Sequence, residues 1–196
     1  SLAPVVGARL VELLTEAGLP PGVVNFLPGP GDVVGDFLVE HPRTRFVSFT
    51  GSREVGVHIY ERAARVAPGQ RWLKRVVAEM GGKNAIVVDS SADLEAATAG
   101  IVASAYGFQG QKCSACSRVV AVADVHDRLL EQVTARTWEL RVGPARDPAT
   151  QVAALIDQAQ YEKVLRYIEI GRGEGRLVCG GEPGDPAGYY VQPTIF

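Results

Sequence analysis

Phe46-Val47-Ser48-Phe49-Thr50-Gly51-Ser52-Arg53-Glu54-Val55-Gly56 reads as a strand that ends on a glycine at the entry to a helix. The strand is expected from about residue 45, and the helix from about 53 to 67, where Pro68-Gly69 stops it. Two readings of the junction stand side by side. The Ser52 hydroxyl suits a helix cap, occupying an amide of the first turn. Gly51, Ser52 and the amides that follow, with hydroxyls at Thr50 and Ser52, also suit a turn that holds a pyrophosphate, because bare backbone and the positive end of a helix dipole meet there.

The same alternation recurs on both sides. Residues 5–17 place apolar side chains at helical spacing, and Gly18 with Pro20-Pro21 ends that helix. Residues 23–27 read as a short buried strand, followed by Gly29-Pro30-Gly31 and a helix over about 32–39. Gly29-x-Gly31-x-x-x-Gly35 thus has a strand before it and a helix after it, the context of a dinucleotide turn, with one residue more than Gly-x-Gly-x-x-Gly. Downstream, strands are expected over 73–78, 84–88 and 119–122, and helices over 92–108, 126–140 and about 150–170. Strands alternating with helices of this length imply crossover units, a mostly parallel sheet and an α/β fold.

Composition narrows the function classes. Hydrophobic residues make 46% and charged residues 21% of the 196, enough for a core without metals or disulfides. The net charge is −2 with both signs interleaved, which leaves no electrostatic footprint for nucleic acid or an anionic membrane. No apolar run approaches the roughly 20 residues that span a bilayer. Ser1-Leu2-Ala3-Pro4 lacks the basic start and apolar core of a leader. Three cysteines do not make a disulfide framework and fit a reducing compartment, so a cytoplasmic protein is expected. Both ends read as cut, since the chain opens straight into a helix and stops at Pro193-Thr194-Ile195-Phe196, where an apolar strand is beginning.

The reactive groups stand in two glycine-containing runs, Glu79-Met80-Gly81-Gly82-Lys83 and Gly110-Gln111-Lys112-Cys113-Ser114-Ala115. A thiol nucleophile and a carboxylate base are the minimum set for oxidising an aldehyde through a thioester. Each has a plainer reading, a solvated carboxylate at a strand end and a core cysteine. The small and polar neighbours of Cys113 argue against an apolar interior. Cys113-x-x-Cys116 is also the spacing of a metal or dithiol pair. A structural zinc needs four ligands, however, and Cys179, His41, His58 and His126 stand at no ligand spacing. No metal is expected, and Cys116 and Cys179 read as packing residues.

Taken together, Phe49-Thr50-Gly51-Ser52, Glu79-Met80-Gly81-Gly82-Lys83 and Gly110-Gln111-Lys112-Cys113 resemble the hallmark segments of the NAD(P)-dependent aldehyde dehydrogenases, in order and spacing. Gly18-Leu19-Pro20-Pro21-Gly22-Val23-Val24-Asn25 and Pro193-Thr194 add to the likeness, which covers essentially the whole chain. The resemblance implies an aldehyde-dehydrogenase-like α/β fold. Residues 1–80 would be the end of a Rossmann-type cofactor domain, and residues 81–196 the start of the α/β catalytic domain. It gives Cys113 the attack and Glu79 the deacylation. Thr50, Gly51, Ser52 and Gly56, with Gly29 and Gly31, would face NAD (NADP possible), and Lys112, Ser114 and Phe108 would face the substrate.

The finer text around Glu79 and Cys113 resembles members that oxidise L-glutamate γ-semialdehyde to glutamate in proline degradation, and Lys112 and Ser114 suit a carboxylate-bearing substrate. Another semialdehyde, such as succinate semialdehyde, and a catalytically inert piece remain the alternatives. Segments that the likeness places before and after this stretch would add an oxyanion-binding asparagine, a glutamate on the cofactor ribose and an oligomerisation strand. The implied partners are a small-molecule aldehyde and further copies of the chain, with no nucleic acid and no membrane. The implied location is the cytoplasm, with the mitochondrial matrix as alternative.

Overall fold

Pro4 opens the first helix of the computed structural model, which describes residues 3–196. Ser1 and Leu2, part of the start read above for a leader, lie outside the described residues. The chain divides into two compact units, Ser1–Gly81 and Gly82–Phe196.

In the first unit, α1 (Pro4–Glu16) starts on a proline whose fixed φ suits the first helical position. It ends where Gly18 turns to φ 91° and Leu19 N–H donates to the Leu14 carbonyl at 3.0 Å. The expected buried strand over 23–27 is absent. Val23 N–H donates back to Pro20 at 3.3 Å and the Asn25 amide donates to the Gly22 carbonyl at 3.0 Å, so local bonds replace a ladder. Val23, Val24, Phe26 and Leu27 are all exposed, although the Phe26 ring lies against Gly7 of α1.

The expected helix over 32–39 forms in two parts, a wide π-type turn at Gly31–Gly35 and α2 (Asp36–Glu40). A parallel crossover unit follows, built from β1 (Phe46–Thr50), α3 (Arg53–Ala63) and β2 (Arg75–Glu79). α3 stops short of residue 67, with Arg65 N–H folding back on the Arg62 carbonyl at 3.1 Å, and Ala67 N–H donates to the Gln70 side chain at 3.3 Å. Arg62 ties α3 to α2 through Asp36 at 3.2 Å and Glu40. The Arg45 guanidinium lies 4.7 Å over the Trp72 ring, and Trp72 Nε1–H donates to Thr44 at 3.0 Å, closing the start of the ladder.

The second unit opens with another parallel crossover, β3 (Asn84–Val88), α4 (Leu94–Tyr106) and β4 (Cys116–Ala121), continued by α5 (Ala123–Trp138). Asp93 caps α4, accepting from Glu95 N–H at 3.0 Å and Ala96 N–H at 3.2 Å. Val88, Leu94, Ile101, Val102, Val125, Leu129 and Val133 form the core between strands and helices. Each such side chain contributes about 1.5–3 kcal/mol relative to exposure. In the first unit, by contrast, Val39 and Ala63 are the buried hydrophobic side chains among the described residues.

α6 (Gln158–Glu174) begins at the Asp157 cap rather than near 150, because residues 151–152 are engaged with Arg141 and Gly143 in a short bridge. Near the chain's end, Cys179 and Ile195 pair antiparallel, and the Tyr106 hydroxyl donates to the Thr194 carbonyl at 3.2 Å. Burial pushes that hydroxyl up to about 12. No helix among the described residues is long and apolar enough to cross a membrane.

Candidate active site

Glu79 is the last residue of β2, and the register sets it opposite Thr50, the last residue of β1. Gly51 N–H donates to the Glu79 carbonyl at 3.0 Å, so the ladder runs one bond past the strand end. Thr50, Gly51 and Glu79 therefore share the carboxyl edge of a parallel pair, the edge outside which α/β sheets place their ligands. The Glu79 side chain is exposed and forms no hydrogen bond or ion pair among the described residues.

The start of α3 stands on the same edge. Ser52 caps it, its hydroxyl oxygen accepting from Val55 N–H at 3.3 Å while Gly56 N–H donates to the Ser52 carbonyl at 2.9 Å. The two readings of Ser52 are compatible, because an accepting hydroxyl still has its own hydrogen to donate. Gly51 keeps the backbone bare, since a Cβ there would collide with the Phe49 ring. Gly56 is buried, with its Cβ position 2.7 Å from Met80 Sδ, so it lets α3 approach the end of β2 closely. Exposed backbone, a hydroxyl donor and the positive end of an 11-residue helix fit a pyrophosphate.

Gly29 and Gly31 are placed differently. No strand precedes them; Val33 and Val34 N–H both donate to the Pro30 carbonyl, at 3.3 and 2.9 Å, and Asp36 N–H closes the wide turn on the Gly31 carbonyl. The strand-then-helix context expected of them is thus a loop leading into a π-type turn. The neighbour of β1 in its ladder is β2, not the 23–27 segment.

Cys113 lies in the second unit, on the loop between α4 and β4, and is exposed, whereas Cys116 and Cys179 are buried packing residues. Burial pushes the Cys179 thiol up, which makes it still less of a nucleophile. The helix expected to reach residue 108 ends at Tyr106, and a tight turn over Gly107–Gly110 takes its place. Phe108 and Gln109 both adopt left-handed backbone, at φ 55° and 56°, a costly conformation for residues with a Cβ. Gly110 follows at φ 67°, with its Cβ position 2.9 Å from the Ala105 carbonyl, so only glycine fits there.

Side chains hold this loop from several directions. Gln109 turns its amide oxygen to Ala153 N–H at 2.9 Å, and Gln111 Oε1 accepts from Ile156 N–H at 3.3 Å. Downstream, Asn84 Nδ2 donates to the Cys113 carbonyl at 2.8 Å, and Cys116 N–H donates to Ser104 Oγ at 3.1 Å. Phe108 and Ser114 are exposed, and the Lys112 ammonium lies over Gly107. Asn84, Ser104 and Gln109 carried no signal as site residues. Their roles are hydrogen bonds to a distant backbone, which residue spacing does not encode. No group of three or more His, Cys, Asp or Glu side chains gathers among the described residues to hold a metal.

Comparison with known proteins adds to this geometry. The chain is 61% identical over 196 residues to a 1-pyrroline-5-carboxylate dehydrogenase of Geobacillus thermodenitrificans, covering all of this chain and 38% of the relative. It is 59% identical over 194 residues to the protein of that name from Bacillus subtilis, covering 99% of this chain and 38% of the relative. A crystal structure of 1-pyrroline-5-carboxylate dehydrogenase from Thermus with bound NAD superposes with a TM-score of 0.93 and 54% identity, over 98% of this chain and 37% of that one. The chain thus spans well under half the length of the curated relatives it matches. The sequence profile described as "Aldehyde dehydrogenase family" matches residues 1–196, and the chain belongs to the aldehyde dehydrogenase family.

Proposed function

We propose that the natural protein oxidises L-glutamate γ-semialdehyde (1-pyrroline-5-carboxylate) to L-glutamate in proline degradation, with NAD as cofactor, through a thioester on Cys113. The exposure of Cys113, alone among three cysteines, carries the chemical reading. The name shared by the relatives and their identity over the whole chain support the substrate and the pathway. Residues 1–80 are read as the end of the cofactor domain and residues 81–196 as the start of the catalytic domain.

NAD, when bound, supplies the acceptor for the electron pair that leaves the aldehyde carbon. Thr50, Gly51 and Ser52 hold its pyrophosphate, Gly56 lets α3 sit close enough to do so, and Gly29 and Gly31 are cofactor-side residues of the same unit. Cys113 Sγ, as thiolate, forms the bond to the aldehyde carbon. The charge that develops on the carbonyl oxygen is met by the Cys113 N–H. Glu79 then takes a proton from water as the water oxygen bonds to the thioester carbon. The C–S bond breaks, the acid leaves and the thiol is restored. An unrestrained carboxylate at a strand end suits a base that acts after the attack. Phe108, Lys112 and Ser114 line the approach to Cys113, with Lys112 and Ser114 suited to the substrate's carboxylate. The working form is a homo-oligomer in the cytoplasm.

Steady-state kinetics of the natural full-length protein test this reading. Glutamate γ-semialdehyde should give a kcat/KM at least about tenfold above that of succinate semialdehyde, a margin set by the contacts to its extra polar groups. NAD+ should outperform NADP+ in the same assay. A preference for succinate semialdehyde would reassign the substrate while leaving Cys113 and Glu79 in their roles.

A further inference from the structure

Asn84 occupies a place in the second unit that the mechanism above does not use. It opens β3, and its Nδ2 donates to the Cys113 carbonyl at 2.8 Å and approaches the Ala115 carbonyl at 3.4 Å. The ladder explains why this side chain is available. Asn84 pairs with Cys116 but Ala85 pairs with Arg118, so Ser117 is an extra residue on β4 and the register slips there. Bulges of this kind re-aim the chain beside a site. Side chains replace the missing ladder bonds, with Ser117 Oγ donating to the Asn84 carbonyl at 3.2 Å and Asn84 reaching the loop in turn. Gly82 completes the seat, its Cβ position 3.4 Å from the Cys113 carbonyl oxygen and 3.6 Å from the Asn84 amide.

We infer that Asn84 is a positioning residue for the nucleophile, clamping the Cys113 carbonyl so that the thiol is aimed and the carbonyl is kept out of the reacting space. The reason is geometric. A peptide unit is planar and trans, so fixing the Cys113 oxygen fixes the whole Cys113–Ser114 plane and sends the Ser114 N–H to the opposite side. That removes one of the two soft torsions of Cys113 and with it most of the wander of Sγ. The clamp also prevents the carbonyl dipole from turning toward an oxyanion, where it would repel the charge that must develop. The loop needs such a device, because Phe108 and Gln109 upstream are held in costly backbone conformations that would relax if the downstream end were loose.

This inference rests on Cys113 being the nucleophile, and its test separates the two claims. Asn84→Ala and Asn84→Asp in the natural full-length protein remove the donor, the second at almost constant shape. Both variants should lower the rate of the acylation burst about 10- to 100-fold, the penalty for a misplaced reacting atom. Asn84→Asp should be the worse, since its carboxylate faces the carbonyl oxygen. KM for NAD+ should stay within twofold. Alkylation of Cys113 by iodoacetamide, which needs neither aldehyde nor cofactor, should slow about tenfold in both. Burst and alkylation rates within twofold of the parent in either variant overturn the inference. So does a loss of both rates matched by equal losses in NAD+ binding and thermal stability, which would make Asn84 a folding residue only. A parent protein that alkylates rapidly at Cys113 but shows no aldehyde burst would instead overturn the proposed function, and the alkylation rates of the variants would then decide the role of Asn84.

Discussion

Glu79 and Cys113 are both exposed and both belong to short glycine-containing signatures, yet they are built on opposite principles. Glu79 is the last rung of an ordinary parallel ladder, reached by regular pairing from Phe46↔Arg75 to Thr50↔Glu79, and its carboxylate is restrained by nothing among the described residues. Cys113 sits where regular structure breaks down, between two left-handed residues upstream and a register slip downstream, and its loop is held by the Asn84 side chain and by its own Gln109 and Gln111 side chains, which reach the backbone at Ala153 and Ile156. The difference matches the demands of the two proposed steps. Attack on a carbonyl carbon needs the sulfur within a narrow range of positions, whereas proton removal from water tolerates a carboxylate that swings into place.

The largest expected effect tests the tightly held side. Cys113→Ala in the natural full-length protein should remove acyl-enzyme formation altogether, a loss of about 10³-fold or more in turnover. Normal turnover in that variant would sink the nucleophile assignment and with it the comparison. Glu79→Gln addresses the loosely held side. Deacylation should fall by about 10²–10⁴-fold while the burst of the first turnover keeps its full amplitude. A burst reduced in step with the steady state would mean that Glu79 also serves the attack, and that the two steps are less separate than the two settings indicate.

What could be read from the sequence follows the same division. The strand–glycine–helix run at 46–56 and the strand at 84–88 were legible because alternation and capping are local, and Ser52 is indeed the cap of α3. The Cys113 signature was legible as chemistry but not as geometry. Nothing in Phe108-Gln109 announces left-handed backbone, and Asn84 reads only as the first residue of a strand. The 23–27 segment failed for a related reason. Its apolar run has the composition of a strand, but the bonds of Val23 and Asn25 to Pro20 and Gly22 satisfy the backbone locally. The glycines that followed it lost their strand context as a result. Ladder partners, register slips and side chains that reach a distant carbonyl are properties of the fold, not of spacing.

Gly110→Ala sharpens the contrast on the loop. The new Cβ would need φ 67° and would lie 2.9 Å from a backbone carbonyl, so the loop must shift rather than adapt. We expect a loss of about 2–3 kcal/mol in unfolding free energy, with slower Cys113 alkylation as the local sign. Denaturant unfolding and thiol labelling measure the two. A stable variant with normal labelling would show that the loop is less constrained than its backbone angles imply.

The smallest effect belongs to the regular side. Ser52→Ala removes one cap bond, that from Val55 N–H at 3.3 Å, at a cost of about 1 kcal/mol. Because β1, β2 and the Phe49 and Met80 contacts around α3 remain, the unit should keep its fold and only the first turn of the helix should fray. If that turn holds the pyrophosphate, the loss appears in cofactor binding, where about 1 kcal/mol corresponds to a roughly fivefold rise in the Kd for NAD+. Cys113 alkylation in the absence of cofactor should be unchanged, since the cap lies in the other unit. Calorimetric titration with NAD+ reads the first quantity and thiol labelling the second. An unchanged Kd would leave Ser52 a cap and nothing more, and would move the pyrophosphate away from the edge that Glu79 shares with Gly51.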